Sequence, residues 1–129
     1  MMILSRLSRL DLKVLDALWN QGICSIREIQ EAFPERMRPA YSTVQTTVYR
    51  LEAKKKVRRV KKISNAHMFE AVVTREEAQR GVIDELLTYF GGRPDLVMAN
   101  LIKTGKFSRK DIKEAEKALR EIEEKDKDK

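Results

Sequence analysis

The chain has 129 residues, 42% apolar and 36% charged, which suits one domain or one compact domain with an attached helical module. Its formal net charge is +7, and the excess is one-sided: residues 1–73 hold 14 Lys/Arg against 7 Asp/Glu, whereas residues 74–129 hold 13 of each. One cysteine, Cys24, excludes an internal disulfide and a cysteine-based metal cluster.

Residues 1–10 contain two arginines and only short apolar pieces, so neither a secretory signal nor a membrane span is expected. A cytoplasmic location is the simplest reading. Ser8 suits the cap of a first helix with Leu10, Val14, Ala17 and Leu18 as its apolar stripe and Gly22 near its end. Leu7 before the cap can pack down as a staple. Trp19 is read as a partly buried core aromatic rather than a DNA backbone contact through its indole N–H. Ile23 and Cys24 are enough for one brief strand, and Cys24 reads as a small buried residue. Ser25-Ile-Arg-Glu28 is a capping box; the second helix it starts turns Ile26, Ile29 and Phe33 inward and stops at Pro34.

The stretch Pro39–Lys62 organises the rest. Ser42 reads as a helix cap, and Val44, Val48 and Leu51 then fall on one side at 100° per residue. The opposite side carries Ser42, Thr46, Tyr49 and Ala53, flanked by Gln45 and Arg50. Between Arg50 and Lys62 lie eight basic residues and one acid, Glu52. A small, polar, nearly acid-free helix face that runs into a basic segment suits entry into a DNA groove. Two helices with a short connection make a helix-turn-helix, although a plain three-helix bundle would look similar.

The next residues separate those readings. Val57–Ile63 alternates apolar and basic residues with an imperfect period, Ser64-Asn65 is turn-like, and His67–Val73 returns as a second strand. A hairpin directly after the polar-faced helix is the wing of a winged helix. Its Arg58, Arg59, Lys61 and Lys62, with Lys54 and Lys55 before them, can follow the phosphate backbone. His67 has no Cys or His at ligand spacing, so no metal is assigned. No glycine-rich phosphate loop or nucleophile–base pair is visible, so neither a cofactor nor catalysis is expected.

Thr74-Arg-Glu-Glu77 is a further capping box, opening a helix with Ala78, Val82, Ile83, Leu86, Leu87 and Phe90 on one side. Gly91-Gly92 breaks it. Pro94 suits the first turn of another helix with Leu96, Val97 and Leu101 apolar, and Gly105 ends that piece. Ser108 and Asp111 start the last helix, whose Ile112, Ala115, Leu119 and Ile122 form a short coiled-coil-like seam. Three helices with narrow apolar stripes need a partner surface, and a second copy of the chain is the simplest one. Folding back as a monomer is the competing arrangement.

These pieces, in order, resemble the penicillinase-repressor family of bacterial transcriptional regulators. LDLKVLDALW, SIREIQEAF, AYSTVQTTVYRLEAKK, VVTREE and LLTYFGG carry the resemblance, over roughly residues 7–122. It implies a winged-helix DNA-binding part and a three-helix dimerisation part that repress by covering a palindromic operator. It also implies groove and backbone contacts at Ser42, Thr43, Gln45, Thr46 and Arg50. Antibiotic-sensing members are cut by a metalloprotease after an asparagine in the fifth helix, and Asn100–Leu101 matches that bond. This chain has Leu101 where those members carry phenylalanine, and Lys54-Lys55-Lys56 where Lys-Lys-Gly is usual. His67 replaces a usual aromatic, and the C-terminal cysteine cluster of copper-responsive relatives is missing.

The expected fold is therefore mainly α with a small β-hairpin wing. Residues 1–73 form a winged helix-turn-helix, 74–125 a three-helix dimerisation module, and 126–129 a frayed tail. The expected function is a homodimeric repressor that binds double-stranded operator DNA, not an enzyme, with a regulatory protease as a further partner. Base reading falls to Ser42, Thr43, Gln45, Thr46 and Tyr49. Backbone binding falls to Arg50, Lys54, Lys55, Arg58, Arg59, Lys61 and Lys62. Ile83, Leu86, Leu87, Phe90, Leu96, Val97, Leu101, Ile112, Ala115, Leu119 and Ile122 form the dimer surface. A winged helix used only to assemble proteins is the alternative.

Overall fold

A computed structural model of the protein describes residues 7–127. Residues 1–6, where no leader was expected, and the last two residues of the charged tail lie outside that range. In order, the elements are α1 (Arg9–Gln21), β1 (Cys24–Ser25), α2 (Ile26–Glu31), a 3-10 turn (Glu35–Met37) and α3 (Tyr41–Ala53). They continue as β2 (Val57–Ile63), β3 (Ala66–Ala71), α4 (Arg75–Tyr89), α5 (Pro94–Lys103) and α6 (Arg109–Lys127). The chain divides into two compact units, Met1–Glu85 and Leu86–Lys129, so the border falls inside α4.

Local sequence sets most helix starts. Ser8 Oγ accepts the Asp11 N–H at 3.0 Å, and the Asp11 carboxylate accepts the Ser8 N–H at 2.9 Å. Ser25 with Glu28, Thr74 with Glu77 and Ser108 with Asp111 repeat that exchange. Each box satisfies two backbone donors that the first helical turn leaves unpaired. Gly22 closes α1 at φ 82°, where its N–H reaches the Leu18 carbonyl.

The start of α3 differs from the expectation. Ala40 is the cap and no side chain bonds there, while Ser42 lies inside the first turn. The helix begins at Tyr41, two residues after Pro39, with the backbone of Ala40 extended at the cap. The 3-10 turn has no local signature in the sequence; the Pro34 carbonyl starts it by accepting the Met37 N–H at 2.9 Å.

The first unit surrounds one core. Val14, Leu15 and Leu18 of α1, Ile26 and Ile29 of α2, and Val44, Val48 and Leu51 of α3 meet Val57 and Phe69 from the sheet. Each such aliphatic side chain contributes about 1.5–3 kcal/mol by leaving water. The sheet is antiparallel in the order β1-β3-β2, so the short strand at Cys24 pairs with Phe69 and completes a three-stranded edge. Register slips between Arg59 and Lys61, leaving Val60 as the extra residue of a bulge. That bulge is the physical cause of the imperfect period in the sequence. Ser64 and Asn65 both take positive φ, 47° and 68°, which matches the twist of a two-residue hairpin turn.

Trp19 sits at the core margin, and its indole N–H donates to the Val73 carbonyl at 2.9 Å. In the second unit, α5 begins with Pro94 at its first turn, and α6 stays helical to Lys127, past the expected end at 125. No residue of α5 or α6 is buried. The architecture is mostly helical with a small three-stranded antiparallel sheet, and α2, α3 and the β2–β3 hairpin form a winged helix-turn-helix.

Candidate nucleic-acid interface

The outer side of α3 is what helical geometry leaves over once Val44, Thr47, Val48 and Leu51 are buried. Ser42, Thr43, Thr46 and Tyr49 are exposed and Gln45 is half-buried; Ser42, Gln45, Thr46 and Tyr49 share one side of the helix, with Thr43 at its edge. Gln45 Nε2 donates to Tyr49 Oη at 3.2 Å, one turn along. Thr47 does not belong to this surface, since its hydroxyl donates inward to the Thr43 carbonyl at 2.8 Å. Tyr41 does: it is 42% exposed, and Arg27 of α2 lies 5.8 Å above its ring. Sequence patterning passed over both, although Tyr41 stands one turn before Gln45 on the same side.

The basic residues separate into two groups. Lys54, Lys55, Lys61 and Lys62 are exposed, with no ion pair among the described residues. The three arginines are engaged. Arg50 Nη2 donates to Asp11 Oδ1 of α1 at 2.6 Å, and that carboxylate is only 2% exposed. Arg58 pairs with Glu70 across the β2–β3 ladder. Arg59 pairs with Glu52 at 3.0 Å, and its guanidinium lies 5.4 Å above the Tyr49 ring and 5.1 Å above Phe69. Arg59 therefore ties the wing to α3 through cation–π and ionic contacts together.

The end of α3 explains how the lysines are presented. The Lys56 N–H reaches the Leu51 carbonyl at 2.9 Å and the Lys55 N–H reaches that of Glu52 at 3.0 Å, a Schellman closure. The left-handed residue is Lys55, with φ 63°. The lysine triplet thus neither lengthens nor opens the helix. It closes the helix with Lys55 in the left-handed conformation, one residue before the position, Lys56, where the family pattern has glycine.

Other singled-out residues have quieter surroundings. Cys24 is buried; burial, then the nearby Glu28 charge, push its thiol above the usual range, which suppresses the reactive thiolate. His67 is exposed on β3 opposite Lys62. No group of metal-ligating side chains assembles among the described residues. Of the residues read as a dimer surface, Ile83, Leu119 and Ile122 are 54, 57 and 58% exposed. Leu87, Phe90, Val97, Leu101 and Ile112 are half-buried, and Leu86, Leu96 and Ala115 are exposed. No helix among the described residues is long and apolar enough to cross a membrane.

A polar-faced helix beside a basic hairpin defines a winged-helix DNA-binding protein. The penicillinase repressor family model matches residues 7–121, and the chain belongs to that family. It is a DNA-binding transcriptional repressor. A search of curated proteins finds no match. Among solved structures, the YusO protein of Bacillus subtilis is 20% identical with a TM-score of 0.51, covering 92% of this chain and 75% of its own. The regulator BpsR of Bordetella bronchiseptica is 20% identical at TM-score 0.47, with 92 and 81% covered. A MarR family protein of Bacillus stearothermophilus is 22% identical at 0.46, with 93 and 75% covered. At these identities the YusO likeness speaks for the fold alone.

Proposed function

We propose that the protein represses transcription as a homodimer bound to a palindromic DNA operator. Residues 1–73 do the reading and 74–125 the pairing of copies. The observation that carries this is the exposed, acid-free outer side of α3 next to the unpaired Lys61 and Lys62 of the wing. Ser42, Thr43, Gln45 and Thr46 meet base edges in the major groove, with Thr46 suited to a thymine methyl or a base edge. Lys54, Lys55, Lys61 and Lys62 take phosphates, and Arg58 does so with the side of its guanidinium left open by Glu70.

The case for a dimer rests on the second unit. Three helices without a single buried side chain in α5 and α6 cannot balance the entropy of ordering them unless their apolar stripes are covered. A two-fold pair would place two α3 helices about 34 Å or a multiple apart, matching half-sites on one side of the duplex. A protease that cut Asn100–Leu101 would detach α6 and with it much of the dimer surface. The Asn100 carbonyl accepts both the Thr104 N–H at 3.0 Å and its hydroxyl at 2.8 Å, so α5 must unwind before such a cut.

Operator and random DNA titrations test the reading. Thr46→Ala should lower the operator-to-random affinity ratio by about tenfold, while Lys61→Ala should weaken both to the same extent. Binding should fall steeply with salt, because each neutralised phosphate releases counterions. A wild-type protein that left no footprint on its own upstream region would favour the protein-assembly alternative.

A further inference from the structure

We propose that Asp11 of α1 and Arg50 of α3 form a positioning pair that sets the angle at which α3 enters DNA, so that Arg50 acts through Asp11 and not as a phosphate ligand. The proposal rests on the DNA-reading role given to α3 above.

The geometry is specific. Asp11 is the N3 residue of α1, and its two carboxylate oxygens are used separately: Oδ2 accepts the Ser8 N–H at 2.9 Å, and Oδ1 accepts Arg50 Nη2 at 2.6 Å. The Ser8 hydroxyl in turn holds the Asp11 N–H at 3.0 Å. The carboxylate is therefore fixed by its own helix before Arg50 arrives. It is 2% exposed, whereas the Arg50 side chain is 43% exposed, so the charge on the helix start is the rigid, buried partner. Arg50 lies two turns beyond Ser42 and one beyond Thr46 on α3. Holding it to α1 fixes the rotation of the very turns that carry the reading residues.

This ion pair links α1 to α3 directly, and removing Arg50 leaves a nearly dry carboxylate without its counter-ion. The apolar contacts of Val44, Val48 and Leu51 hold α3 in the core, and the ion pair adds a directional link to α1 near the end of the helix. A rotation of the helix about its axis moves Ser42 and Thr46 sideways past the base edges, where a shift of about 1 Å is enough to lose a hydrogen bond.

The test uses the full-length protein and measures binding to operator and to random duplex across a salt series. Arg50→Gln and Asp11→Asn should each lower the operator-to-random ratio by about tenfold, and leave the salt slope of random binding unchanged. Arg50→Lys, which keeps the charge and one donor for Asp11, should restore part of the ratio. A phosphate ligand would behave differently: Arg50→Gln would reduce the slope by about 0.9 and weaken both duplexes equally, with Asp11→Asn neutral. That pattern would overturn the proposal. Ile29→Val, a change to a buried core residue of α2, controls for a general loss of stability and should leave the ratio at its wild-type value. A fall of the ratio in Ile29→Val as large as in Asp11→Asn would equally overturn it, since specificity would then follow stability alone. A wild-type protein with no operator preference at all would instead count against the function proposed above.

Discussion

At the scale of single residues, short-range chemistry was legible and long-range pairing was not. Ser8, Ser25 and Thr74 could be read as caps because the partner of each lies three residues away. Ser42 offered the same residue type, yet α3 starts at Tyr41 and Ser42 is an ordinary first-turn residue. The bond of Arg50 to Asp11 spans 39 residues, and no local pattern announces such a pair. The stacking of Arg59 on Tyr49 and Phe69 is likewise invisible in the spacing of the chain. Lys55 offers a test at this scale. A lysine held at φ 63° costs about 1 kcal/mol relative to glycine, so Lys55→Gly should raise the melting temperature. The same change should reduce the salt slope of DNA binding by about 0.9, since it removes one phosphate partner. A melting temperature that fell would show that the left-handed lysine is unstrained.

At the scale of elements, helices announced themselves through their ends and strands through their turn. The boxes at α4 and α6 also predict behaviour in acid. The Thr74 N–H, then its hydroxyl, hold the Glu77 carboxyl below the usual range, and Ser108 does the same for Asp111. A depressed folded value means that the caps stabilise fully above the ordinary carboxylate range. Their contribution is lost as pH falls through the depressed one. Helical circular dichroism should therefore decline in that acid window, and Glu77→Gln with Asp111→Asn should remove part of the decline. An acid transition identical in the double variant would deny the caps any share. The wing shows where element-level reading stops: alternation was visible from Val57, but the bulge at Val60 broke it, and only pairing with β3 reveals a bulge.

At the scale of the whole molecule, the two units answer different needs. The first has a closed core in which Phe69, Leu15 and Ile29 are fully enclosed. The second leaves Leu119 and Ile122 more than half exposed on a 19-residue helix. An apolar seam of that kind is stable where another surface covers it, so Leu119→Glu should shift sedimentation from dimer to monomer. Operator affinity should drop about 100-fold or more with it, because two half-sites would no longer be held together. A monomeric wild type that bound the operator as tightly would refute the pairing.

The sequence by itself determined which segments are helices, which sides of them are apolar, and that a polar-faced helix is followed by a basic hairpin. Those properties depend on neighbours within about one turn, so spacing along the chain carries them. The tertiary structure alone decided which charges on the Arg50–Lys62 run have an acidic partner. Asp11, Glu52 and Glu70 each pair with one of the three arginines, and Lys54, Lys55, Lys61 and Lys62 have no ion pair among the described residues. An ion pair is chosen by distance in space, and the fold brings those acids within reach from other elements.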